Sequence, residues 1–126
     1  MRVIVAGSRT WSDYALLAKE LDRLTNKLDR KKLVILSGGA DGADKLGEKW
    51  CFERMVSYQR FPADWHKYGK RAGHIRNSEM LEEGKADALI AFWNGSSPGT
   101  ADIIRKARKK GIKVRVIRPK RKWWEK

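Results

Sequence analysis

Short apolar runs alternate along this chain with longer segments in which apolar residues recur at every third or fourth position. The runs are typical of buried strands, and the spaced segments are typical of helices with one buried face. Strands are predicted at residues 2–6, 33–36, 56–61, 88–92 and 113–117. Helices are predicted after a cap at Ser12 or Asp13, over about residues 42–54 and 74–83, and from a cap at Thr100 to Gly111. Residues 62–73 form the longest predicted loop.

The alternation of strands with helices predicts an α/β fold, a single Rossmann-like domain of three layers. Its five-stranded parallel sheet has right-handed crossovers and is expected in the order 3-2-1-4-5. In that order, ligands bind beyond the carboxyl ends of the strands, where the first strand lies beside the fourth. We expect this domain to cover residues 1–117, with a basic, tryptophan-containing tail over residues 118–126.

Three of the predicted strands end in polar turns that contain glycine, at residues 7–11, 37–44 and 93–100. Glycine allows backbone N–H groups to approach an anion, and a helix that follows the turn points the positive end of its dipole at the same place. One such turn is more often a plain connection, but three at one sheet edge predict a site for a nucleotide-type ligand. Trp11, Trp65 and Trp93 follow strands at this edge, and one of them can stack on a base.

The formal net charge of +14 is concentrated near the C-terminus. From Arg105 to Lys126 there are twelve lysines and arginines against one acid, Glu125. Such a block can bind nucleic acid or another anionic partner, and it can equally be a solvated basic face. Trp123 and Trp124 lie among these cations. Their rings can stack on the bases of single-stranded nucleic acid, and they can equally pack on the core of the domain or be buried in a subunit interface.

Cysteine, histidine and apolar content exclude several other classes of protein. The single cysteine, Cys51, excludes a disulfide framework, and its place on the apolar face of a helix predicts an unreactive core thiol. No apolar run reaches the length of a signal sequence or a membrane span, so we expect a cytoplasmic protein that does not bind membranes. His66 and His74 have no cysteine or histidine cluster around them, which predicts no metal site and no histidine-based relay.

Five short motifs follow one another at residues 7–9, 37–44, 61–65, 73–77 and 98–102. With these motifs, residues 2 to 117 resemble the YspA-like, YpsA-related branch of the SLOG superfamily. That superfamily joins the DNA-processing protein DprA with the LOG-type phosphoribohydrolases, which cleave the N-glycosidic bond of nucleoside monophosphates. The resemblance implies a Rossmann-like domain that binds nucleotides or nucleotide-derived ligands.

For catalysis, the resemblance implies roles for Arg76 and Asp102. In LOG-type enzymes, a helical arginine and acids after a glycine-threonine pair perform the chemistry, and these two residues stand at the matching positions. A carboxylate near the ribose stabilises an oxocarbenium-like centre, while an arginine fixes the phosphate or orients the base. Ile103 replaces the second family acid, so it stays open whether this chain is an N-glycosidase.

The turns and the resemblance together give one set of candidate ligand contacts. They are Gly7, Ser8, Arg9, Trp11, Gly38, Gly39, Asp41, Gly42, Asp44, Arg76, Asn77, Asn94, Gly95, Gly99 and Thr100. We expect the site to bind a nucleotide-derived small molecule, such as a nucleoside phosphate, NAD or ADP-ribose. The rival functions are a phosphoribohydrolase and a DprA-like protein that binds nucleic acid through residues 105–126. No other cofactor is implied, and a homo-oligomer is compatible with the sequence.

Overall fold

The computed structural model describes residues 1–120, which form a five-stranded sheet with parallel pairing throughout. The strands are β1 (Arg2–Gly7), β2 (Val34–Ser37), β3 (Ser57–Arg60), β4 (Ala88–Phe92) and β5 (Lys113–Ile117). Their order across the sheet is β3-β2-β1-β4-β5, which confirms the predicted Rossmann-like α/β fold and its strand order. Gly7 of β1 lies beside Phe92 of β4, so these two strands end together at the carboxyl edge.

The α-helices in this part of the chain are α1 (Tyr14–Thr25), α2 (Ala43–Arg54), α3 (Trp65–Tyr68), α4 (Ala72–Glu82) and α5 (Pro98–Lys110). Asp13, rather than Ser12, caps α1, because its carboxylate accepts a hydrogen bond from the Leu16 amide at 3.0 Å. This bond satisfies one of the amides that the first turn of a helix leaves unpaired.

The prediction that residues 62–73 form a loop is wrong. It contains α3, a 3₁₀ turn at Gly69–Arg71 and the first residues of α4. The Asp64 carboxylate caps α3 by accepting a hydrogen bond from the Lys67 amide at 3.0 Å. A helix of one turn is too short to show a hydrophobic period, so the cap is its main signal in the sequence.

The predicted start of α5 is also wrong, since Thr100 lies inside the helix and does not cap it. The helix begins at Pro98, which follows Ser97. Proline fits the first position of a helix because its missing N–H would have no partner there. The N-terminus of α5 therefore reaches further toward the carboxyl edge of the sheet than predicted.

The core lies on both faces of the sheet. α1 and α2 pack on one face, where Trp50 and Phe92 are fully buried, and α4 and α5 pack on the other, where Met80 and Ile103 are buried. Cys51 belongs to the first cluster, and burial raises the pKa of its thiol to about 12. The thiol therefore stays protonated at neutral pH and is the unreactive core residue that the sequence predicts.

Most of the predicted tail, including Trp123 and Trp124, lies outside the described residues. β5 ends at Ile117, followed by Arg118, Pro119 and Lys120 as the last described residues. Between residues 1 and 120, no helix is both long enough and apolar enough to cross a membrane.

Candidate functional site

The carboxyl ends of β1, β2 and β4 open into a cleft with two adjoining compartments. The first compartment, of about 330 Å³, lies between the turn after β1 and the N-termini of α4 and α5. The second compartment, of about 300 Å³, lies between the glycine turn after β2 and the loop after β3. Arg9, Ala40, Trp65 and Arg76 line both compartments, so the two are parts of one cleft.

Arginines from three segments surround the second compartment. Arg9 follows β1, Arg60 ends β3, and Arg76 lies on α4. Arg60 is neutralised by Glu48, to which its Nε donates a hydrogen bond at 3.0 Å, and this bond raises the pKa of Arg60. In the described part of the chain, neither Arg9 nor Arg76 has a carboxylate within 4.0 Å. Arg9 and Arg76 therefore supply the unpaired positive charge of the compartment.

The guanidinium of Arg76 is partly buried where the two compartments meet. Its Nη1 donates a hydrogen bond to the Gly38 carbonyl at 2.7 Å, and its Nε donates to Asn77 Oδ1 at 3.1 Å. Burial lowers the pKa of Arg76, Asp44 opposes this shift, and the charge of Arg9 adds to it. A partly buried cation without an ion-pair partner is costly, and an anion bound in the cleft would compensate it.

A side chain at position 38 would displace two charged groups of the cleft. A Cβ there would lie 2.3 Å from Nη1 of Arg76 and 2.7 Å from Oδ2 of Asp44, so the turn packs directly against both charged groups. Gly42 is required for a different reason, because its φ of +79° is left-handed and a Cβ would lie 2.3 Å from the Ser8 carbonyl. Gly42 thus supports the turn from outside the cleft.

Asp44 is a buried carboxylate on the wall of the first compartment. It is only 5% exposed, and its Oδ2 accepts a hydrogen bond from the Ala40 amide at 3.2 Å. Burial raises its pKa to about 6, against the opposing effects of Arg76 and of the Ala40 amide, and the nearby charge of Glu48 raises it further. Asp44 therefore changes its charge close to neutral pH.

The difference in the free energy of unfolding between the wild type and the Asp44→Asn variant is expected to depend on pH. The folded-state pKa of about 6 lies above the ordinary value of 3.8, so the proton on Asp44 stabilises the fold. This stabilisation is fully present below the unfolded-state value and is lost as the pH rises through the folded-state value. Between about pH 4 and pH 7, the wild type is expected to lose on the order of 2 kcal/mol relative to the variant. Urea unfolding at three pH values measures the difference, and a difference that does not change with pH contradicts the expectation.

Ser8 joins the turns after β1 and β4 instead of facing the cleft. It is 1% exposed, and its hydroxyl accepts a hydrogen bond from the Asn94 amide at 3.0 Å. A second bond, of 2.9 Å, links it to the Ser97 hydroxyl. The predicted ligand contact at Ser8 is therefore corrected to a structural bond that fixes two walls of the cleft to each other.

The structure brings most of the predicted ligand contacts together at the cleft. They are Gly7, Arg9, Gly38, Gly39, Asp41, Asp44, Arg76, Asn77, Asn94, Gly99 and Thr100. These residues come from segments far apart in the sequence, and the carboxyl edge of the parallel sheet gathers them. Their contact with a ligand stays a prediction.

Two other predicted contacts lie elsewhere in the molecule. Trp11 is a core residue, 6% exposed, whose ring centre lies 5.4 Å from that of Phe92 and whose Nε1 donates to the Asp13 carbonyl at 3.0 Å. Gly95 faces away from the cleft, since a Cβ there would lie 2.5 Å from Nη1 of Arg118. In both cases the turn after the strand directs the residue toward a neighbouring side chain rather than toward the cleft.

Asp102, which the resemblance places in catalysis, does not line the cleft. Its side chain is only 2% exposed and lies between α4 and α5. One oxygen accepts a hydrogen bond from Asn77 Nδ2 at 3.1 Å, and the carboxylate pairs with Arg105 at 2.8 Å and with Lys106 at 3.0 Å. The structure therefore gives no support for direct contact between Asp102 and a ligand in the cleft.

Several further residues line the cleft, and those with a charged or aromatic side chain that are not in the list of predicted contacts are Arg60, Trp65, Lys70 and His74. Of the three tryptophans that follow strands, Trp65 is the one at the cleft, and Arg9 Cζ lies 5.7 Å from its ring centre. The motif at residues 61–65 is the available sequence signal for Trp65, and the end of a predicted strand is the signal for Arg60. The sequence around His74 does not indicate a place at the cleft, because the carboxylate beside it, Asp102, lies on another helix.

The fold and the cleft define a class of protein: a Rossmann-like domain whose glycine turns and arginines meet at the switch point of a parallel sheet. The chain belongs to the YAcAr family, described as the YspA, cpYpsA-related SLOG family, whose sequence profile matches residues 1–68. This match confirms the resemblance seen in the motifs. Membership of this family supports a role related to nucleotides or nucleic acids.

Two known proteins illustrate the similarity. Gene 61 protein of Mycobacterium phage D29 is 40% identical over 120 residues, covering 90% of this chain and 93% of the relative. The crystal structure of DNA processing protein A (DprA) from Streptococcus pneumoniae matches 98% of this chain with a TM-score of 0.70 and 20% identity. This chain spans 51% of that DprA chain, and at this level of identity the match shows a shared fold.

Proposed function

We propose that the cleft binds a nucleotide-derived small molecule of the nucleoside phosphate, NAD or ADP-ribose type. The observation that carries this proposal is the partly buried guanidinium of Arg76, which has no carboxylate within 4.0 Å among the described residues. A phosphate group placed there would accept charge-assisted hydrogen bonds from Arg76 and Arg9. The glycine turn at Gly38 allows a phosphate to come close to the backbone.

The two compartments suit different parts of such a ligand. The second compartment is cationic and suits the phosphate groups. The first compartment contains the apolar side chains of Ala6, Met80 and Ile103 and suits the ribose and base. Trp65 lines both compartments and offers a flat surface on which a base can stack. Volumes of about 330 and 300 Å³ fall within the range of small-molecule sites.

A thermal-shift screen tests this proposal. The protein is heated with nucleoside mono-, di- and triphosphates, NAD, ADP-ribose and cyclic nucleotides, and mass spectrometry then identifies every bound molecule. A ligand at one hundred times its Kd is expected to add about 2.7 kcal/mol of stability, which raises Tm by several degrees. Nucleosides without phosphate are the matched controls and are expected to give little shift. The proposal fails when no phosphate-bearing compound stabilises the protein.

Binding of nucleic acid is a second candidate function, favoured by the basic surface of α5, β5 and the residues after them. The described cations of this surface are Arg105, Lys106, Arg108, Lys109, Lys110, Lys113, Arg115, Arg118 and Lys120. Arg108 and Lys109 are exposed, and within residues 1–120 neither has a carboxylate within 4.0 Å. The DprA relative is described as a DNA processing protein, so DNA is a suitable probe.

Salt dependence tests this second function. Affinity for a labelled single-stranded oligonucleotide is expected to fall steeply with salt, and replacing Arg108 and Lys109 by glutamine is expected to reduce the salt slope by about 1.4. The control replaces two exposed lysines of another surface, Lys19 and Lys27. Truncation before Lys120 is expected to weaken binding as well. Equal effects of the two double variants would contradict a dedicated surface.

A further inference from the structure

We infer that the ligand of the cleft is a nucleotide with a second phosphate group on the 2′ or 3′ oxygen of its ribose, and that Lys70 and Arg71 bind this group. The inference rests on the proposed binding of a nucleotide-derived molecule and adds a position for a second phosphate. That position is a third compartment, of about 260 Å³, which is lined by Lys70, Arg71, His74, Ile75, Ser78 and Lys106.

The third compartment adjoins the first one. Lys70 and His74 line both of them, whereas no residue lines both the third compartment and the second. The first compartment therefore lies between the other two, with Arg9 and Arg76 where it meets the second and Lys70 where it meets the third. A ligand that fills the first compartment has a cationic compartment on each side.

The third compartment is positively charged. Lysine and arginine supply three of its lining residues, and none of the acidic residues in the described part of the chain lines it. Lys70 and Arg71 are exposed, and within residues 1–120 neither has a carboxylate within 4.0 Å. A phosphate suits these two cations because it accepts charge-assisted hydrogen bonds from both lysine and arginine.

Lys106 adds positive charge to this compartment without donating to the ligand. Its Nζ donates hydrogen bonds to the His74 carbonyl at 2.8 Å and to Ser78 Oγ at 3.0 Å, and it lies 3.0 Å from Asp102 Oδ2. An ammonium group has three donors, so these partners occupy all of them. Asp102 also pairs with Arg105 at 2.8 Å, so one carboxylate serves two cations and a positive charge remains.

The backbone brings the two donors close to the first compartment. Lys70 and Arg71 are consecutive residues of the 3₁₀ turn that leads directly into α4. The first turn of α4 contains no acidic residue, so the positive end of the helix dipole adds to their charge. Arg76 lies about 8 Å from Arg71 along this helical segment. One ribose with a phosphate on either side can span such a distance.

The proposed position of the nucleotide directs a second phosphate to the third compartment. With the 5′-phosphate beside Arg9 and Arg76, the ribose lies in the first compartment, and its 2′ and 3′ hydroxyl groups lie away from the second compartment. A phosphate on either hydroxyl group extends toward Lys70. A second phosphate attached to the first, as in a nucleoside diphosphate, stays beside the arginines of the second compartment. The position of the second phosphate therefore decides whether Lys70 and Arg71 bind it.

Isothermal titration of the full chain with isomeric nucleotides tests this inference. The probes contain the nucleoside that gives the largest thermal shift; for adenosine they are AMP, ADP, adenosine 2′,5′-bisphosphate and adenosine 3′,5′-bisphosphate. At least one of the two bisphosphates is expected to bind about tenfold or more tightly than AMP, as for one additional charge-assisted contact. Arg71→Gln is expected to remove most of this gain and to change the affinity for AMP and for ADP by less than about threefold.

Lys67→Gln is the matched control, since Lys67 is an exposed cation of the same segment that lines none of the three compartments. This variant is expected to keep the whole gain from the second phosphate, whereas Lys70→Gln is expected to reduce it. ADP has the same number of phosphates as the bisphosphates, so it controls for the total charge of the ligand.

The outcomes separate this inference from the proposed function. Bisphosphates that bind no more tightly than AMP, or equal losses in Arg71→Gln and Lys67→Gln, overturn the inference and leave the proposed binding intact. If Arg71→Gln weakens ADP and the bisphosphates equally, the inference is overturned as well, because the effect then does not depend on where the second phosphate is attached. The absence of binding by every phosphate-bearing compound overturns both.

Discussion

Replacing Arg76 by methionine is expected to weaken binding of the nucleotide-derived ligand by about 100-fold or more. The loss corresponds to about 3 kcal/mol, the range for charge-assisted hydrogen bonds to a phosphate in a partly enclosed site. Methionine keeps much of the length and apolar surface of the side chain and removes its charge and its donors. Isothermal titration with the best ligand from the thermal-shift screen measures the change.

The control for this variant is Arg115→Met, which removes the same charge from the exposed side of β5, away from both compartments. It is expected to change the affinity by less than threefold. Arg76→Lys is expected to lie between the wild type and Arg76→Met, because lysine keeps the charge and loses the planar pair of donors. Equal affinities of Arg76→Met and Arg115→Met would remove the main support for the proposed function.

Replacing Gly38 by alanine is expected to impair binding as severely as the loss of Arg76. The new Cβ would lie 2.3 Å from Nη1 of Arg76 and 2.7 Å from Oδ2 of Asp44, so both groups must leave their positions. The displaced atoms are the ends of flexible side chains, so the cost in folding stability is expected to lie near the low end of the range for overpacking, about 1 kcal/mol. Titration calorimetry measures the affinity, and urea unfolding measures the stability.

Gly99→Ala is the matched control for stability, since a Cβ at that position meets nothing within 4 Å. Alanine also has a higher helix propensity, so this variant is expected to be at least as stable as the wild type. If Gly38→Ala binds ligand with the affinity of the wild type, the position of Arg76 seen here is not the one that matters for binding.

Most strands and helices follow from the sequence because their signals are local, and the sheet order follows from the right-handed crossovers that an alternating strand–helix pattern requires. The strands β1, β2 and β4 are short apolar runs, and α1 shows its buried leucines at helical spacing, so the pattern alone separates the two types of element. The wrong predictions concern a helix that is too short to show a period and a helix with two possible starting residues. α3 has four residues, too few for a period, and Pro98 with Ser97 competes with Thr100 for the start of α5.

The site is only partly predictable, because the direction of a side chain depends on the packing of distant segments. Arg76 is predicted from its motif, and the structure places it at the cleft. Trp11 also follows a strand at the correct edge, yet its ring turns into the core against Phe92. Asp102 directly precedes Ile103, which lines the cleft. Neighbouring residues of a helix point in different directions around its axis, so the Asp102 side chain is enclosed against α4 instead.

For a ligand of the proposed kind, we expect the contact between Arg9 and Trp65 to affect how a flat base enters the cleft. The guanidinium lies over the indole ring at 5.7 Å, at the boundary that the two compartments share. A base that stacks on the indole takes the place of the guanidinium, which is then free to turn toward the phosphate of the same ligand. Binding of the proposed ligand would then exchange the partners of one aromatic ring, and a ligand that carries only a base or only a phosphate would complete half of this exchange.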